Sequence, residues 1–117
     1  MKKVHKVILV FFVFWGLVIA GLVIASVFQK PKMTFFYGDT CPHCKIVEKY
    51  FEDNGITAKY QITMKEVFNN TQNMVQLVEV SAKCGIAKDN VGVPVLYSRN
   101  KCYVGDADII AFFDSMK

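Results

Sequence analysis

The chain has 117 residues, 53% of them hydrophobic, and a formal net charge of +4. That length accommodates one small domain and little else. The positive charge is not a nucleic-acid signature: residues 33–117 carry nine Lys and Arg against ten Asp and Glu, a net charge of −1, and the excess sits at Lys2, Lys3, Lys6, Lys30 and Lys32.

Those five lysines flank a single stretch. From Val7 to Phe28 the chain is uncharged and almost wholly apolar, long enough to cross a bilayer as one helix, and Gln29-Lys30-Pro31-Lys32 ends it with charge and a helix breaker. An apolar segment flanked by lysines is a poor candidate for a buried core helix. Trp15 lies mid-span, so it is not an interfacial belt residue, and His5 reads as a polar flank. A cleaved signal peptide is the alternative, with Ala20 and Ala25 each preceded two positions earlier by Val. Because the apolar run continues through Ile24, Val27 and Phe28, it exceeds an ordinary signal core, and we read an uncleaved anchor. Residues 1–32 are therefore the anchor and its flanks, and 33–117 the folded domain. The lysine bias is small but favours a cytoplasmic N-terminus and a domain on the outer side.

Met33 to Tyr37 is a short apolar and aromatic run that predicts a buried strand. It leads into Gly38-Asp39-Thr40-Cys41-Pro42-His43-Cys44-Lys45. Pro42 suits the first turn of a helix, where its missing N–H costs nothing, which places Cys41 at the N-cap. There the unpaired N–H groups and the positive end of the helix dipole favour a thiolate. Cys44 follows about one turn deeper on the same face, close enough to bridge Cys41 but less exposed. Cys41 is then the nucleophile and Cys44 the resolving thiol of a disulfide-exchange cycle, with His43 between them able to add positive charge or a hydrogen bond beside the sulfur. A bare Cys-x-x-Cys also serves haem attachment or half a zinc site. Lys45 stands where a haem motif needs His, and Cys84 and Cys102 are too far apart to form a second zinc pair, so we assign no metal or other cofactor.

A helix is predicted from Pro42 to about Asn54, with Ile46, Val47, Tyr50 and Phe51 on its buried face and Asn54-Gly55 as its stop. Ile56 to Ile62 alternates loosely and reads as a second strand. Thr63-Met64-Lys65-Glu66 fits a capping box, which predicts a helix start there, interrupted at Asn69-Asn70-Thr71. Met74, Leu77, Val78 and Ser81 resume a helical stripe up to Cys84, capped by Gly85. After a loop, Gly92 to Tyr97 reads as a strand with Pro94 at its mouth. Ser98-Arg99-Asn100 turns the chain, Lys101 to Val104 returns as a partner strand, and Asp106 caps a last helix that buries Ile109, Ile110, Phe113 and Met116. The order β-α-β-α-β-β-α specifies an α/β layer domain preceded by one transmembrane helix.

The domain from Met33 to Lys117 resembles the thioredoxin superfamily, and within it glutaredoxin-like proteins. The resemblance rests on strand-Cys41-Pro42-His43-Cys44-helix, on Val93-Pro94 before a hairpin, and on Gly105-Asp106-Ala107-Asp108 before the last helix. It implies a thiol–disulfide oxidoreductase, a cis peptide at Pro94 beside the sulfurs, and backbone hydrogen bonds offered by Val93 to an incoming peptide or thiol. An ordinary strand-start proline is the plainer reading of Pro94, since most X-Pro bonds are trans. Gly38 stands where that family usually has Lys, and Gly105-Asp106 where it has Gly-Gly; both features help hold glutathione, so the departures count against glutathione as the dedicated partner. The Pro-His dipeptide is similar to that of DsbA-like periplasmic disulfide oxidases. By the same analogy the expected partners are protein thiols and disulfides and a membrane electron-transfer protein, either a quinone-linked oxidase or an electron transporter.

Cys84 and Cys102 admit three readings: buried free thiols, a structural disulfide, or a second relay feeding Cys41 and Cys44. The even cysteine count and an external domain favour the structural disulfide. Two other functions stay open from sequence, a thioredoxin-fold binding module without turnover and an iron–sulfur or zinc carrier.

Overall fold

Alternating side chains on one five-residue strand organise the folded part of this chain. The computed structural model describes the backbone of residues 1–27 and 32–117, and the side chains of residues 1–24 and 32–117. The expected end of the apolar run at Phe28, its stop at Gln29-Lys30-Pro31 and the side chain of Ala25 lie outside the described residues. Contacts divide the chain into two units, Met1–Lys30 and Pro31–Lys117.

The first unit is one helix, α1 (Lys2–Val27). Its segment Lys2–Ile24 is long and apolar enough to cross a membrane, and its large side chains, Phe11, Phe12 and Trp15 among them, are exposed all round. A helix apolar on every face has no solvent side, so a lipid span or a signal sequence is the setting its composition fits.

The second unit runs β1 (Met33–Tyr37), α2 (Pro42–Asp53), α3 (Ile56–Lys59), β2 (Ile62–Glu66), α4 (Thr71–Lys83), a 3-10 turn (Lys88–Asn90), β3 (Val95–Ser98), β4 (Lys101–Val104) and α5 (Asp106–Asp114). The sheet order is β2-β1-β3-β4, with β2 parallel to β1 and both other pairings antiparallel. Because successive strand residues face opposite ways, β1 serves two cores. Met33 and Phe35 join Val47, Phe51, Leu96, Ile109 and Phe113 under α2 and α5. Phe36 joins Val67, Leu77 and Val95 under α4. Phe51 meets Phe35 and Phe113 edge to face at centroid distances of 5.1 and 5.3 Å, the offset geometry that aromatic quadrupoles prefer.

Several elements differ from the sequence expectation. Ile56–Lys59 is a single helical turn entered through left-handed Gly55, and it buries Ile56 beneath α2; the second strand starts only at Ile62. Thr63 to Glu66 lie in that strand, each paired in register with a β1 residue from Thr34 to Tyr37, so no helix begins there. Tertiary pairing has overridden a local capping signature. The helix starts instead at Thr71, where the Asn70 side chain caps it by accepting the Asn73 N–H at 3.0 Å. Ile46 is 47% exposed and not part of the buried face of α2. Asp106 is the first residue of α5 and does not cap it; the N-cap is Gly105. Arg99 and Asn100 both have positive φ, which marks the two-residue hairpin turn whose twist matches the flanking strands.

Candidate functional site

The end of β1 and the start of α2 are joined by a turn closed by the Cys41 N–H on the Gly38 carbonyl at 3.1 Å. Cys41 is the N-cap, in extended conformation, and Pro42 opens the helix. The Cys41 sulfur accepts the Cys44 N–H at 3.2 Å, taking up one of the donors that a helix start leaves unpaired. Cys41 and Cys44 are bridged, with Cα atoms 5.2 Å apart, inside the range a disulfide spans. Cys41 is 8% exposed and Cys44 0%. Of these two, Cys41 is the one with residual exposure and a place on the wall of a neighbouring groove, and when the bridge opens its thiolate keeps the helix N–H and the positive dipole end.

The Val93–Pro94 peptide is cis. It stands against the disulfide: the Val93 carbonyl oxygen lies 3.8 Å from Cys41 Sγ, and the Pro94 carbonyl accepts the Gly105 N–H at 2.9 Å, tying this corner to the start of α5. His43 turns the same way. Its Nδ1 lies 3.1 Å from Asp106 Oδ1, so the imidazole is oriented by α5. With the His43 side chain 68% exposed, the pair contributes little to stability and acts on orientation.

A second group of residues frames the sulfur from the other side. The Glu66 carboxylate accepts the N–H groups of Phe68 at 2.7 Å, Asn69 at 2.8 Å and Asp39 at 3.4 Å. Desolvation raises its pKa, but those three donors outweigh it and hold the carboxyl below the ordinary glutamate value. Asn69 Nδ2 also donates to Asp39 at 3.3 Å, and Asn73 Nδ2 to the Glu66 carbonyl at 2.8 Å. This pinned loop seats the Phe68 ring on Gly38, where a Cβ would overlap it. Burial, with the nearby Asp39, Glu48 and Glu66 carboxylates, pushes the Tyr37 hydroxyl up and keeps it a neutral phenol. Beside Cys41 opens a groove of about 400 Å3 whose walls include Pro42, Val67, Phe68, Met74 and Val93, and none of its lining residues is charged.

Cys84, the C-cap of α4, is bridged to Cys102 on β4 with a Cα separation of 6.0 Å. Cys102 pairs with Tyr97, which pairs with Thr34 near the start of β1, whereas Cys41 follows the end of that strand. The two bridges thus belong to opposite ends of the sheet. Among the described residues no three His, Cys, Asp or Glu side chains converge as a metal site.

Comparison with solved structures gives the fold a family likeness. A buckwheat glutaredoxin, solved in complex with glutathione, superposes with a TM-score of 0.54 at 16% identity, over 74% of this chain and 72% of that one. A dithiolic glutaredoxin of Trypanosoma brucei brucei gives 0.53 at 23% identity over 80% and 89%. An oxidized glutaredoxin of Chlamydomonas reinhardtii gives 0.51 at 19% identity, over 74% of each. The domain has the glutaredoxin-type thioredoxin fold. No family model matches the chain, and no curated protein matches it in sequence.

Within this glutaredoxin-type domain, then, Cys41, Pro42, Cys44, Val93 and Pro94 come together at one corner, His43 beside them faces Asp106, and Cys84 and Cys102 stand apart. Three residues that the sequence reading missed complete the corner: Glu66 as the pin, Phe68 as a wall and Asp106 as the partner of His43. Phe68 went unseen because a helix was expected through it. The only local hint was Gly38, a residue without a side chain one position after the strand.

Proposed function

We propose that this chain is a thiol–disulfide oxidoreductase acting through Cys41 and Cys44, held at a membrane by α1 with its redox domain on the extracytoplasmic side. The observation that carries the reading is the asymmetric bridged pair at a helix start, with Cys41 at the N-cap, 8% exposed beside the Val93 carbonyl and the groove, and Cys44 fully buried one turn deeper. In the oxidising direction a substrate thiolate attacks Cys41, the Cys41–Cys44 bond breaks and Cys44 leaves as a thiolate. A second substrate thiolate then attacks the substrate sulfur of the mixed disulfide and releases Cys41, so two electrons pass to the protein and the substrate leaves as a disulfide. The reducing direction runs the same steps backwards, with Cys41 attacking and Cys44 resolving.

Val93 and Pro94 form the surface on which the substrate backbone lies, and Pro42 and His43 tune the sulfur. The Cys84–Cys102 bridge acts as a structural disulfide, which suits an oxidising compartment. Protein thiols and disulfides are the substrates, and a membrane electron-transfer protein resets the pair, its encounter raised in effective concentration by the tether.

The test is the reduction potential of Cys41–Cys44 in the full chain in detergent, set by glutathione buffers and read by alkylation and mass spectrometry. A value of about −120 to −180 mV identifies a disulfide donor or isomerase, and about −230 to −270 mV a reductase. A pair that fails to exchange with dithiothreitol, or a Cys41→Ser variant that still turns over a disulfide substrate, removes the reading.

A further inference from the structure

The wall of the groove beside Cys41 is apolar where a site for a small anionic thiol would need positive charge. Its lining side chains carry no charge at all. The carboxylates of Asp39 and Glu66 are taken up in fastening the Phe68 loop that forms one wall. The nearest lysine on α2, Lys45, is engaged by Glu48 at 2.9 Å. An incoming thiol with two carboxylates finds no charged side chain to pair with among the groove's lining residues.

Apolar surface, by contrast, is displayed there and is held in place. Phe68 is 51% exposed, more than a core aromatic would be, yet its backbone N–H is bound by Glu66 and its ring rests on Gly38. Met74, from the first turn of α4, is also exposed on the same groove. A large aromatic kept at the surface by a pinned backbone loses little entropy when it is covered, which is what a recognition contact requires. The sulfur of Cys41 at one wall fixes where the partner's own sulfur must lie.

We propose that this groove takes an extended protein segment carrying a cysteine next to apolar residues and free of acidic ones, in preference to a small anionic thiol, and that Phe68 sets that preference. The inference rests on the redox reading of Cys41 and Cys44. The segment's thiolate bonds to Cys41 Sγ as Cys44 leaves, while its neighbouring side chain covers Phe68 and Met74.

The oxidised full chain in detergent is mixed with four thiols: dithiothreitol, glutathione, a Lys-flanked peptide with Leu and Phe around its cysteine, and a peptide of equal length with Glu at those positions. Rate constants are compared at equal thiolate concentration. A well-packed apolar group is worth roughly tenfold or more in discrimination, so the apolar peptide should outpace glutathione and the acidic peptide by about that factor. Phe68→Ala should shrink the ratio at least severalfold, and Phe68→Leu should keep most of it. Wild-type rates for the two peptides within about twofold of each other, or a ratio unmoved by Phe68→Ala, overturn the proposal while exchange with dithiothreitol leaves the redox reading intact. Failure with dithiothreitol as well removes both. The wild-type series decides the substrate preference even if Phe68→Ala fails to fold.

Discussion

Cys41 and Cys44 share one helical turn yet differ in what reaches them. The N-cap position leaves the first residue slightly exposed, with a helix N–H donated to its sulfur, while the second is fully buried. The chemistry of the site therefore follows from backbone position more than from any charged neighbour. Gly38 carries a comparable constraint for shape. An alanine there drives its Cβ into the Phe68 ring, and because that ring is half exposed it can swing away, so Gly38→Ala should cost only about 1 kcal/mol, at the low end for an overpacked site. Urea unfolding measures the cost. A loss of 3 kcal/mol or more would mean the ring cannot move.

At the scale of elements, the loop between β2 and α4 and the helix α4 itself are fastened at both ends. Glu66 holds the near end. Its carboxyl sits below the ordinary value of 4.5 in the folded chain, so the stabilisation is complete above that pH and is lost as pH falls through the depressed folded value. The difference in urea stability between wild type and Glu66→Gln should narrow as pH drops from 6 to 3, and a constant difference would mean that the carboxylate does not hold the loop. The far end is held by Cys84 and Cys102, 18 residues apart in sequence. Replacing both with Ala should cost about 3 kcal/mol, the loop-closure value for a bridge of this span, read by denaturant unfolding under oxidising conditions. Since Leu77 and Met74 reach the redox groove from α4, this bridge also steadies one of the groove's walls.

For the whole molecule, the charge divides the chain as sharply as the contacts do. Positive charge gathers around the apolar N-terminal stretch, and the sheet domain is close to neutral. A tethered chain with its domain outside should stay with membranes through alkaline carbonate washing. After reduction, its cysteines should react with a membrane-impermeant maleimide added to cells with an intact inner membrane. A product shortened near residue 20 or 25 and released from membranes would instead identify a cleaved signal sequence.

The amino-acid sequence alone determined what depends on neighbours in the chain: the apolar span, the α/β order of the domain, and the placing of two cysteines one turn apart behind a proline. Such features are written in spacing of three or four residues and in single-residue backbone rules, so they survive without the rest of the fold. The capping signature at Thr63 to Glu66 misled because it is equally local, and pairing with β1, some thirty residues away, outweighed it. Only the tertiary structure brought Val93 to the sulfur across a separation of 52 residues, set Asp106 on His43 across 63, and laid Phe68 on Gly38. Those contacts are made where the sheet brings distant segments to a common edge, and no short-range pattern encodes which segments will meet.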